Sequence, residues 1–339
     1  MNSRMLAFAV SKRGLVAVQK RIPALRPRWA LVKVRLAGIC NTDFEILRGY
    51  HNFRGTPGHE FVGEVVDVAG VSLPEKKRWF GKRVAGEINI ACAVLCLHPV
   101  CKFCKRGLQR HCLGRKVLGI VAQDGAFAEF LTLPLENLRE IPNTISEEKA
   151  VFIEPLAAAC EILDQIKVKS FHEAAVLGDG KLAQLIARVL RTALPRVVMF
   201  GKHKEKLALA HRAQIETRRV RGDASDLKNV NQSFALVVEA TGSPTGLALA
   251  QQMTEPRGTL VLKSTFHGAP PVETWPIVVK ELSVIGSRCG RFEHAIALLR
   301  SGAVDPRPLI TRTFPLSKCS QAVRFAGNPG VMKVLLWPQ

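Results

Sequence analysis

Residues 174–200 limit the fold more than any other stretch of the chain. They read Ala-Ala-Val-Leu-Gly-Asp-Gly-Lys-Leu-Ala-Gln-Leu-Ile-Ala-Arg-Val-Leu-Arg, then Thr-Ala-Leu-Pro-Arg-Val-Val-Met-Phe. A short apolar run meets a glycine turn, an amphipathic helical pattern follows, and a second apolar run closes the unit. Further apolar runs at 235–239 and 258–263 continue the alternation. Strands alternating with helices predict a parallel, doubly wound α/β sheet. Within the turn, Gly178-x-Gly180-x-x-Ala183 fits the dinucleotide fingerprint, in which alanine is allowed third. Gly178 makes the turn, Gly180 lets backbone approach a pyrophosphate, and Ala183 permits close helix–strand packing. The phosphates then meet the helix start at Lys181 and Leu182, where unpaired N–H groups and the dipole favour anions.

The end of the second strand sets cofactor choice. An NAD-binding strand places Asp or Glu there to hold the ribose hydroxyls. Here the position is Gly201, followed by Lys202, His203 and Lys204. No acid at the strand end opposes a 2′-phosphate, and three cationic or potentially cationic groups could meet one. NADP(H) is therefore expected in preference to NAD(H). The surroundings are basic too: 181–221 holds eleven Lys/Arg and two acids, Glu205 and Glu216. The whole chain carries 49 Lys+Arg against 28 Asp+Glu, a net charge of +21. That balance points to phosphate-bearing ligands or to a solvated basic surface.

The 339 residues suggest two domains, and 47% hydrophobic residues supply ample core. No window approaches the roughly 20 apolar residues of a membrane helix. The apolar run at 5–10 is too short for a signal peptide, so the expected address is the cytoplasm. Nine cysteines occur, at 40, 92, 96, 101, 104, 112, 160, 289 and 319. An odd number without a secretion signal argues against a disulfide framework. Five of them lie within 92–112, and that density points to metal. The two-residue gap of Cys101-Lys-Phe-Cys104 lets two thiolates reach one tetrahedral ion, and Cys112 follows. Cys92, Cys96 and His98 compete for the fourth place. A second constellation stands earlier: Cys40 in Ala-Gly-Ile-Cys-Asn-Thr-Asp, and His59 and Glu60 in Thr-Pro-Gly-His-Glu-Phe-Val-Gly-Glu-Val. One sulfur, one nitrogen and one carboxylate match a catalytic zinc, which takes three protein ligands and keeps an open position.

Gly-His-Glu after a Gly-x-Cys-x-Thr-Asp segment, with a cysteine-rich lobe beyond, resembles the zinc-dependent medium-chain dehydrogenase/reductase family of alcohol, polyol and threonine dehydrogenases. The resemblance runs nearly the whole chain. It implies a GroES-like β-rich catalytic domain over 1–146 and 282–339, a structural-zinc lobe at about 86–120, and a Rossmann domain over 147–281. By the same resemblance, Cys40, His59, Glu60 and Glu154 are the catalytic zinc's ligands. Glu60 and Glu154 also exchange with water or hold it, Thr42 relays a proton, and Asp43 supports from behind. Thr241 and Ser264, at strand ends, line the nicotinamide. The lobe departs from the family's cysteine spacing. Cys96 needs only a slightly longer loop than the pattern and keeps four thiolates, which favours Cys96 with Cys101, Cys104 and Cys112 as the structural zinc's ligands.

The implied reaction is zinc-assisted hydride transfer between an alcohol or polyol (or the aldehyde or ketone) and the nicotinamide, in a homodimer or homotetramer. Phe44, Phe53, Arg54 and Arg291 are candidate pocket residues. Two other readings compete. A basic zinc protein that binds nucleic acid is disfavoured by the lack of a Cys/His finger and by a single tyrosine. A catalytically idle NADP-binding relative, acting as sensor or scaffold, is disfavoured by the intact Cys40, His59, Glu60 and Glu154.

Overall fold

A computed structural model describes residues 4–12, 14–221, 232–265 and 272–338. The chain divides into two units: Met1–Glu154 with Ile296–Arg300 and Ile310–Gln339, and Pro155–Ala295 with Ser301–Leu309.

The first unit is built on a seven-stranded sheet. Its path runs Leu138–Glu140, Arg83–Gly86, Glu60–Val68, Trp29–Gly38, Lys333–Trp337, Ile310–Pro315, and Phe130–Pro134 also pairs with Trp29–Gly38. Neighbours are antiparallel except the last pair on the path. Two-residue alternation drives the central strand: Ala30, Val32, Val34 and Leu36 are buried while Lys33 and Arg35 face outward. A hairpin of Arg4–Ser11 and Gly14–Arg21 stands apart from this sheet. So does a small sheet of Asn89–Ile90, Lys116–Leu118 and Ala122–Gln123, which carries the cysteine lobe.

In the second unit, six parallel strands lie in the order Glu216–Arg219, Arg196–Gly201, Glu173–Leu177, Phe234–Glu239, Thr254–Leu262, Ser283–Gly286. In chain order that is third, second, first, fourth, fifth, sixth, the doubly wound arrangement expected from the sequence. Ala175, Val198, Phe200, Phe234, Val237 and Leu260 form its core, with Phe200 and Phe234 edge to face at 5.7 Å. The helix Lys181–Arg191 buries an arginine in its apolar face. Arg188 donates to the Gln184 and Leu209 carbonyls, tying this helix to Lys204–His211, and burial lowers its pKa to about 10. The helical pattern over 146–166 resolves into two pieces, Glu147–Ala150 and Ile153–Gln165, and Glu154 heads the longer one. Among the described residues, no helix is long and apolar enough to cross a membrane.

Candidate active site

Three strands of the first unit converge on Cys40, His59 and Glu60. In the pair Trp29–Gly38 and Glu60–Val68, Gly38 lies opposite Glu60, and on the other flank Leu335 lies opposite Gly38. A Cβ on Gly38 would collide with the Glu60 carboxylate, so this close approach needs glycine. Beyond Gly38, the Ile39 N–H donates to the Val334 carbonyl at 3.0 Å, and Cys40 caps the helix Asn41–Leu47. The donor atoms of Cys40, His59 and Glu60 all lie within 4.8 Å of one another. His59 and Glu60 are buried and Cys40 is half-buried. The Thr42 hydroxyl lies 3.7 Å from Cys40 Sγ.

Asp43 and Lys333 stand behind these three. Asp43 Oδ2 accepts the Cys40 N–H at 2.8 Å, and Oδ1 faces His59 Nδ1 at 3.6 Å. Oδ1 and Nδ1 are both buried without a hydrogen bond. This fits a metal-binding imidazole, which turns Nε2 to the ion and Nδ1–H to a carboxylate. The fully buried Lys333 ammonium pairs with Glu60 Oε2, reaches the Ile39 carbonyl at 3.4 Å and stands 5.5 Å from the centre of the Phe152 ring. Lys333 is a functional residue that no sequence motif marks. Its only signal is a cation inside the apolar run Val331-Met-Lys-Val-Leu-Leu-Trp, where a strand must bury it.

The site is rich in negative charge. Burial opposes protonation of His59, yet Cys40, Asp43 and Glu154 outweigh it and hold the imidazole well above its ordinary pKa. Burial raises the Asp43 carboxyl. Burial, helped by the Glu60 charge, pushes Glu154 up to about 7, against the pull of His59. Lys333 stays above its ordinary value because Glu60 and Cys40 override the cost of burying it. A sulfur, an imidazole and a carboxylate in a negative pocket suit a zinc ion. Glu154 lies outside the 4.8 Å donor set and acts on it through charge.

In the lobe, the fourth thiol is Cys92. Cys92, Cys101, Cys104 and Cys112 bring their sulfurs within 4.8 Å of one another, with 3.6 Å between Cys92 and Cys104 and 3.8 Å between Cys101 and Cys112. The edge of a tetrahedron with Zn–S bonds of about 2.3 Å is about 3.8 Å. The expectation of Cys96 is corrected. A turn after Cys92 (Leu95 N–H to Ala91, Leu97 N–H to Cys92) carries Cys96 into solvent, with φ +54° and Sγ no nearer than 4.0 Å to the Val94 carbonyl. His98 is exposed as well.

At the glycine loop, Gly178 has φ +124°, and a Cβ there would sit 2.5 Å from the Ala240 carbonyl oxygen. Gly180 caps the helix Lys181–Arg191 without a side-chain hydrogen bond, and among the described residues a Cβ added to it would meet nothing within 4 Å, an arrangement that suits a phosphate. Thr241 and Ser264 are brought together by Glu239, another residue the sequence reading passed over. Its buried carboxylate accepts from the Thr241 N–H and hydroxyl at 2.8 and 2.6 Å and from the Ser264 hydroxyl at 3.0 Å. Lys202 and His203 are exposed beside Gly201, and Arg219, paired with Gly201 across the sheet, donates to the Lys202 carbonyl. The expectation that no acid stands at this strand end is corrected: Asp179 delivers one from the glycine loop, accepting the Lys202 and His203 N–H groups at 2.8 Å each. The other candidate pocket residues scatter. Arg291 is held by Asp164, and Phe53 and Arg54 line a cavity whose lining includes none of Cys40, Thr42, His59 and Glu60.

Two family models match the chain: the alcohol dehydrogenase GroES-like domain over residues 26–143 and the zinc-binding dehydrogenase over 180–301. The chain belongs to the zinc-type medium-chain dehydrogenase/reductase family. It is an oxidoreductase of the alcohol dehydrogenase type, acting on CH–OH groups. Among its relatives is 2-dehydro-3-deoxy-L-galactonate 5-dehydrogenase of Pseudoalteromonas atlantica, 27% identical over 89% of each chain. RspB, an alcohol dehydrogenase of Escherichia coli CFT073 solved with NADH, is 28% identical, with a TM-score of 0.88 over 99% of this chain and 100% of the other. A zinc-binding dehydrogenase of Sinorhizobium meliloti 1021 bound to NADP is 27% identical, with a TM-score of 0.86 and the same coverage. Neither the nucleic-acid reading nor the idle-relative reading gains support from these likenesses.

Proposed function

We propose that the chain is a zinc-dependent dehydrogenase that moves a hydride between an alcohol or polyol (or the matching aldehyde or ketone) and NADP(H), used in preference to NAD(H). The observation that carries this reading is the convergence of Cys40, His59 and Glu60, backed by Asp43 and Lys333. In this reading these three hold the catalytic zinc and Glu154 holds its water or adds a ligand, while Cys92, Cys101, Cys104 and Cys112 hold a structural zinc. When bound, the catalytic zinc supplies Lewis acidity to a hydroxyl or carbonyl oxygen, and the nicotinamide supplies or takes the hydride.

The chain's own groups do the rest. Asp43 fixes the tautomer and orientation of His59. Lys333 compensates Glu60, so that a buried carboxylate stays ionised. The Thr42 hydroxyl takes the proton of the substrate hydroxyl and passes it towards solvent. Gly178, Gly180, Lys181 and Leu182 seat the pyrophosphate. Lys202 and His203, beside Gly201, meet the 2′-phosphate. Glu239 holds Thr241 and Ser264 against the nicotinamide. The protein works as a homodimer or homotetramer in the cytoplasm.

Fluorescence titration of the zinc-loaded protein with NADPH and NADH, followed by turnover on a panel of polyols, tests this reading. Tighter NADPH binding, weakened in Lys202→Ala, is expected, with activity lost on chelation. Failure to bind either nucleotide would overturn it.

A further inference from the structure

Asp179 occupies space that belongs to another residue in an ordinary dinucleotide site. A Cβ placed on Gly201 would lie 2.5 Å from Asp179 Cβ and 2.7 Å from its Oδ2. The strand end therefore carries no side chain because the glycine loop has already filled its place. The carboxylate arrives at the address where an acid normally holds the ribose hydroxyls, but its oxygens are committed elsewhere. Oδ2 accepts the Lys202 and His203 N–H groups at 2.8 Å each. His203 Nδ1 lies 3.0 Å from Oδ2 and 3.2 Å from Oδ1. Asp179's side chain is 10% exposed, against 48% for His203. The acid lies inside the turn and the imidazole lies outside it.

We propose that Asp179 is a positioning residue for cofactor choice: it clamps the turn 201–203 so that His203 and Lys202 present a seat for the 2′-phosphate of a phosphorylated dinucleotide. Beside a carboxylate, His203 Nδ1 carries the proton and donates it, which points Nε2 outward. The exposed Lys202 ammonium beside it then gives the phosphate a charge-assisted hydrogen bond, with the outward edge of the His203 ring lining the same seat. Two backbone N–H groups offset the Asp179 charge, which therefore repels the phosphate less than an acid projecting from residue 201 would. Arg219 braces the same turn by donating to the Lys202 carbonyl at 3.2 Å. The inference rests on the NADP(H) reading above and assigns the residue that creates it.

The test is the pair of dissociation constants for NADPH and NADH, measured by fluorescence on the zinc-loaded wild type, Asp179→Asn, His203→Asn and the double variant. Asparagine keeps the size of Asp179, so the loop is retained. Asp179→Asn is expected to weaken NADPH about tenfold and NADH less than about twofold. His203→Asn should do the same, and the double variant should lose little more than either single one, because one residue acts through the other. Equal losses for both nucleotides would reduce Asp179 to a structural role and overturn the proposal. A larger loss for NADH would make it the ribose acceptor and overturn it too. The NADP(H) reading is judged separately, by the wild-type ratio alone. A wild type favouring NADH removes that reading, whereas the clamp is judged by how far the ratio moves in Asp179→Asn.

Discussion

In the lobe, four sulfurs face one another, with backbone N–H groups of Cys92 and Cys101 and the apolar Ala91 and Val100 around them. Around Cys40, one sulfur shares its surroundings with an imidazole, three carboxylates and an ammonium group. Both are clusters of metal-ligating side chains in the same unit, and they differ in what surrounds the donors. The four-thiol set is closed: a tetrahedral ion there has no place left for a substrate. The mixed set supplies three donors in a graded field of buried charge, and an ion held by them would keep a coordination position for substrate. The first arrangement suits holding a fold together and the second suits chemistry.

The sharpest way to break this contrast is to remove a donor from each. His59→Ala should cut turnover by roughly 10³-fold or more while the lobe keeps its metal, so zinc per chain falls by half in atomic absorption. Loss of both ions together would mean that the centres are not independent. Next in size, Lys333→Met should weaken zinc binding or activity by about 10–100-fold, because the buried Glu60 loses its counter-charge. Lys333→Arg should recover part of it. Cys112→Ser should lower Tm by about 5–10 °C, with turnover per folded molecule nearly unchanged. Cys96→Ser, outside the four-thiol set, should leave both quantities alone.

The smallest effect is a pH dependence. Glu154 rises from 4.5 to about 7, so between those values the folded metal-free protein holds a proton that the unfolded chain has released. Stability therefore falls as pH climbs from about 4.5 to about 7, and Glu154→Gln should flatten that slope in thermal melts. An unchanged slope in the variant would remove Glu154 from the charge balance of the site.

The fold and the site are most legible in the sequence where chemistry and spacing coincide. The doubly wound sheet was legible because its central strands are apolar and its first turn must be glycine. The edge strand Glu216–Arg219 was not, since a polar Glu-Thr-Arg-Arg segment has no buried face to announce it. Cys40, His59 and Glu60 could be gathered from the motifs around them. Spacing favours Cys96 over Cys92 because it counts residues and is blind to the direction of a turn. Lys333, Glu239 and Asp179 were missed for a common reason. Each acts on a distant partner or from within a turn, and neither periodicity nor a short motif reports where a buried charge finds its counter-charge.

The Lys333–Glu60 pair has a consequence in time. Its two members are 273 residues apart in the chain. During synthesis Glu60 emerges with His59 and Cys40 long before its ammonium partner exists. Until the strand Lys333–Trp337 docks beside Trp29–Gly38, the carboxylate must stay hydrated or protonated, and the pocket cannot close dry around it. The cluster around Cys40 is thus completed only once the strand Lys333–Trp337 has been made and has docked. A nascent chain that captures zinc early does so with a wetter, looser set of ligands than the finished protein offers.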